Sequence, residues 1–128
     1  MDDSEYRAAA HELLDTMIPG AVTDHPGLGG TGFAADLGTQ ALECVFGRIW
    51  VRPGLDLRSR SLVTLGILIA SQQWVELRVH SGAALNNGLT REELEEVVIQ
   101  SAPYAGYAAA AHAAKVMSEL LDGQSNWL

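Results

Sequence analysis

One cysteine, Cys44, is the only thiol in the 128-residue chain. No intramolecular disulfide can form and no CxxC redox pair exists, so a reducing, cytoplasmic setting fits. Basic residues are scarce as well. Eight Lys and Arg face 16 Asp and Glu, for a formal net charge of −8. That deficit argues against nucleic acid, which needs clustered Lys and Arg, and against anionic membrane surfaces. It leaves room for a small anionic substrate, because a few arginines can make a local positive pocket. Aromatics are only 6% of the chain, which excludes a large aromatic core. The longest apolar run, Leu62 to Ala70, is interrupted by Thr64 and is too short to cross a bilayer; it reads as a buried helix. The start, "MDDSEYRAAA", is acidic and lacks the apolar centre of a signal peptide. Repeats and strand-like alternation are absent too.

What the chain does have is helical patterning, rich in Ala and Leu. About six helices are expected, giving an all-α fold in one domain, 1–128, with an N-terminal helix and Gly-rich connector over 1–32 and a core over 33–121. Ser4 is the expected cap of a helix reaching Met17, with Ala8, Leu13, Leu14 and Met17 on its apolar face. The connector "HPGLGGTG" contains a literal GxGxxG at Gly27, Gly29 and Gly32, but no strand precedes it, so it reads as a linker. A second helix is expected from Gly32 to about Trp50, with Phe33, Leu37, Leu42, Val45, Phe46 and Ile49 apolar. A third, Leu57 to Ser71, should lie at the centre of the core. A fourth runs from Trp74 to Asn87 and closes at Gly88. "LTREEL" is a capping box, with Thr90 and Glu93 starting a fifth helix that runs to about Ser101. Beyond Pro103 and Gly106 an alanine-rich helix reaches Leu121.

Two constellations could do chemistry. Glu76 and His80 stand at i, i+4, on one helix face. A carboxylate beside an imidazole fixes its tautomer and prepares it to deliver a proton near neutral pH. Spacing alone favours the plainer reading, an exposed ion pair worth about a few tenths of a kcal/mol. A metal site lacks further ligands, since no HExxH or second cluster completes it. The other constellation is Arg48, Arg52, Arg58 and Arg60 in "GRIWVRPGLDLRSRS", half of all Lys and Arg in the chain. Arginine binds a carboxylate through two parallel N–H bonds. Arg60, one turn into the apolar third helix, is expected to be partly buried and paired. Cys44 reads as a small buried hydrophobe, His112 as a packed polar residue that could face the same cavity as His80, and His11 and His25 as solvent-facing.

"W-x-RPGLD-x-R-x-RS", "EL-x-x-H" and "NNGLT-x-E-E-x-x-E", in this order and spacing, resemble the carboxymuconolactone decarboxylase family from about Phe33 to Leu121. The resemblance implies an alkylhydroperoxidase D-like helical fold and a homo-oligomer, a hexamer or trimer, with clefts near subunit contacts. It implies no cofactor. The type reaction removes CO2 from 4-carboxymuconolactone to give an enol-lactone of the β-ketoadipate pathway. The electrons left behind delocalise into the lactone carbonyl, so the protein must stabilise an enolate and then protonate carbon. By the same resemblance His80 is the motif histidine, donating the proton or stabilising the oxyanion, and Glu76 orients it. Arg52 and Arg60 match family arginines that could hold substrate carboxylates.

The related peroxidase branch uses CxxC-x3-H. Gln73 and Glu76 occupy the thiol positions here, which removes that chemistry. The chain also departs from the decarboxylase pattern. Arg48 stands where an acidic residue is expected, and "YAGYAAAA", Tyr104 to Ala111, replaces "YxGVPAAN", with His112 beside it. That segment is expected to line the cleft, which makes Tyr104 and His112 further candidate substrate contacts, and Arg48 is another from the arginine cluster. The departures leave open another lactone or carbonyl substrate in a biosynthetic pathway, or a non-catalytic binding or assembly protein on the same fold.

Overall fold

Asp2, rather than Ser4, starts the first helix. Its carboxylate accepts from the Glu5 N–H at 3.0 Å, and Glu5 Oε2 accepts from the Asp2 N–H at 2.7 Å. The reciprocal pair satisfies two donors that a helix start leaves orphaned. A carboxylate is also favoured there by the helix dipole, and the Ser4 hydroxyl donates to it at 2.6 Å. Ser4 therefore supports the cap instead of forming it.

The computed structural model describes residues 1–21 and 32–123, and these are helical with no strand among them. The helices are α1 (Asp3–Met17), α2 (Ala35–Ala41), α3 (Leu57–Ala70), α4 (Trp74–Asn86), α5 (Arg91–Ala105) and α6 (Tyr107–Asp122), and a π-helical segment, Leu42–Ile49, continues α2. Gly27 and Gly29 of the connector, His25 and the tail from Gln124 lie outside the described residues. The chain divides into two compact units, Met1–Asp56 and Leu57–Leu128. No helix among the described residues is long and apolar enough to cross a membrane.

In the first unit, α1 buries Ala10, Leu14 and Met17, while Ala8 is exposed. The expected second helix is α2 running into the π segment, and this changes which residues are covered. Leu42, Phe46 and Trp50 are buried, four residues apart, whereas Phe33, Leu37, Val45 and Ile49 are exposed. An α-helix would drift by about 40° every four residues. The π turn is closed by the Trp50 N–H on Val45 O at 2.9 Å, and packing against α1 covers this set. The Phe46 and Trp50 rings stack at 6.3 Å. Gly47 lets α1 approach closely, since a Cβ there would sit 2.4 Å from the Tyr6 carbonyl oxygen. Cys44 is exposed on this segment rather than buried.

In the second unit, Leu65 and Ile69 of α3, Leu77 and Ala84 of α4, Leu89, Leu94 of α5, and Ala113, Val116 and Met117 of α6 form one core. Thr90 and Glu93 make the expected capping box, with bonds of 3.1 and 3.0 Å. Gly88, at φ +101°, supplies the left-handed turn after α4 that favours glycine. α5 runs past Ser101 and through Pro103 to Ala105 before Gly106 ends it. Proline removes the N–H that would bond Ile99. Ile99 is exposed, so water can serve its carbonyl.

Candidate active site

α4 has a buried stripe of Leu77, Ser81 and Ala84, and the candidate residues border it. Small residues on this stripe (the Ser81 hydroxyl is satisfied by Leu77 O at 2.7 Å) allow neighbouring helices to come close. Glu76 and His80 lie one turn apart on one flank, both half-buried. Their placement leaves both partly accessible to a small molecule. His80 is an engaged side chain.

The opposite flank of α4 faces α6. The Trp74 ring stacks on the His112 imidazole with centroids 4.2 Å apart and planes 9° from parallel. Arg78 pairs with Glu119 at 3.9 Å, and a Cβ on Gly82 would touch Leu120 at 3.9 Å. Trp74 stands about 120° around α4 from His80. His112 and His80 therefore belong to different flanks, and His112 packs as a ring partner.

The His80 flank continues to Asn87, two turns on, where the side-chain amide donates to Ser61 Oγ on α3 at 3.0 Å. Ser61 is fully buried. It directly follows Arg60, which is half-buried and engaged, as the apolar helix around it predicts. The Arg60 carbonyl accepts from Thr64 Oγ1 at 2.8 Å. The Asn87–Ser61 bond thus ties the His80 flank of α4 to α3 at the residue after Arg60. Ser61 and Asn87 were not singled out by the sequence. The signal was a serine opening an apolar helix and an asparagine closing the next.

The other predicted site residues have these surroundings. Arg48 belongs to the first unit, where it bonds Asp3 at 3.1 Å and lies 3.7 Å over the Tyr6 ring. Arg52 is in the turn after the π segment, exposed and engaged. Arg58 is paired with Glu93. Tyr104 stands exposed near the end of α5. A groove of about 350 Å³ between α5 and α6, lined by Leu94, Val98, Ile99, Met117 and Leu121 among others, includes none of the predicted site residues. No group of three or more His, Cys, Asp or Glu residues among the described residues could hold a metal ion.

Comparison with known proteins gives this arrangement a context. Residues 35–119 match the family described as carboxymuconolactone decarboxylase. A protein of Metarhizium robertsii named nitrosuccinic acid decarboxylase npaB is 47% identical over 64 residues, 50% of this chain and 45% of its own length. The 4-carboxymuconolactone decarboxylase of Acinetobacter baylyi is 45% identical over 74 residues, 58% of this chain and 54% of its own length. The chain spans about half the length of the curated relatives it matches.

Proposed function

Because the chain belongs to the carboxymuconolactone decarboxylase family, we propose that it decarboxylates a small acid whose leaving carboxylate sits beside an electron sink, with His80 as the proton donor. The observation that carries this reading is the half-buried Glu76–His80 flank of α4 in a chain whose relatives are named decarboxylases. In the reaction the C–CO2 bond breaks and its electron pair moves into the sink, an ester carbonyl through a conjugated double bond in a lactone. CO2 departs, and carbon takes a proton from the His80 imidazolium, which recovers it from solvent. Glu76, one turn before it on the same flank, orients His80. Arg60 supplies a guanidinium for a substrate carboxylate. The sink belongs to the substrate, so the protein's task is to orient the acid, stabilise the developing oxyanion and protonate carbon.

4-Carboxymuconolactone is the first substrate to try. The nitro acid named for the fungal relative is the second, because the departures at Ala108, Ala111 and His112 leave the lactone open to replacement. A nitro group accepts the electron pair as a nitronate, so both acids ask the same of the protein. The test is CO2 release from each acid. Turnover of the lactone alone supports the catabolic assignment, and turnover of nitrosuccinate alone moves the substrate to nitro acids. A folded protein that releases CO2 from neither rejects the reading.

A further inference from the structure

We propose that the Asn87–Ser61 hydrogen bond is a positioning clamp that holds Arg60 of α3 in register with His80 of α4. This rests on the reading above, in which His80 protonates the product and Arg60 binds the carboxylate. The two groups sit on different helices, so their separation depends on how the α3–α4 hairpin is registered. Between these helices the buried side chains are apolar or small: Leu65, Ile69, Leu77, Ala83 and Ala84. Apolar contact is non-directional and tolerates sliding. A hydrogen bond has a direction and a length, and this part-buried polar pair favours one arrangement over its neighbours.

The bond is anchored at both ends. The Asn87 N–H donates to Ala83 O at 2.9 Å, which fixes the residue to the last turn of α4. Ser61 is fully buried within α3. Asn87 lies seven residues from His80, about 10 Å along the helix and about 20° around it. Ser61 is the next residue after Arg60. One side-chain bond therefore links the helix that carries the acid to the residue beside the anion-binding group. A misplacement of about 1 Å can cost about a hundredfold in rate, so such a bond matters to catalysis beyond its share of stability.

The test measures kcat and KM for CO2 release in Asn87→Ala and Ser61→Ala, each alone and in an Arg60→Ala background. Either single change is expected to lower kcat/KM by about ten- to a hundredfold. In the Arg60→Ala background the further loss should be under about twofold, because the clamp acts through Arg60. Asn87→Asp, whose carboxylate can accept from the Ser61 hydroxyl, should keep more activity than Asn87→Ala. A bond with only a structural role would lower the melting temperature and leave kcat and KM per folded protomer unchanged, which overturns the proposal. Equal losses with and without Arg60 overturn it too. If Asn87→Ala does not fold, the nearly isosteric Ser61→Ala tests the same bond from its other end. Full turnover by His80→Gln and Arg60→Ala would reject the underlying reading and the clamp with it. Impaired His80→Gln and Arg60→Ala beside unimpaired Asn87→Ala and Ser61→Ala would reject the clamp alone.

Discussion

Arg91 and Asp122 show how a surface pair ties two helix ends together. The guanidinium donates to both carboxylate oxygens, at 2.6 and 3.3 Å, joining the first turn of α5 to the last of α6. The hydrogen bond from Arg91 holds the Asp122 carboxyl below its ordinary pKa. A carboxyl depressed in the folded state adds stability above its unfolded pKa, and that contribution is lost as pH falls through its folded value. Asp122→Asn should therefore melt below the parent at about pH 7, and the gap should close towards about pH 2. Thermal melts at the two pH values check this. A gap of equal size at both would contradict it. At the same scale, His112 illustrates a limit of reading residues one at a time. Nothing in its own neighbourhood of alanines announces a partner; the partner, Trp74, is 38 positions away and is set by how α4 meets α6.

The elements were legible where local chemistry decides them. Thr90 and Glu93 advertise a helix start three residues apart, and the bonds form as that spacing requires. The Asp2 start was missed by two residues because serine and aspartate both cap, and the carboxylate takes the position while the hydroxyl supports it. The π segment was not legible. Its apolar residues satisfy a loose helical pattern, and only packing against α1 selects the set Leu42, Phe46 and Trp50 over Val45 and Ile49. Pro103 read as a stop, yet α5 carries it in its last turn. The α1–π contact yields a test of its own. Gly47→Ala places a Cβ against the Tyr6 carbonyl and should destabilise by about 1–3 kcal/mol. Gly66→Ala, with open space around its Cβ within α3, should be stabilising by about 0.5–1 kcal/mol. Urea unfolding of both variants checks the contrast, and matching midpoints would show that the close approach has no energetic weight.

At the scale of the whole molecule, motif order in the sequence and the match over residues 35–119 agree on the family. Order and spacing were legible because they belong to the chain itself. The placement of Arg60 relative to His80 was not, since it depends on the register of two helices and on a bond between residues 26 positions apart. The central claim is that His80 delivers the proton that completes decarboxylation. The measurement that tests it most directly is the initial rate of CO2 release from 4-carboxymuconolactone, or from nitrosuccinate if that is the acid turned over, by the parent chain and by His80→Gln at equal folded concentration. The account predicts a loss of about 10²–10⁴-fold in kcat/KM, the usual scale for removing a positioned acid, with helical content unchanged. A His80→Gln protein that releases CO2 at the parent rate would contradict it.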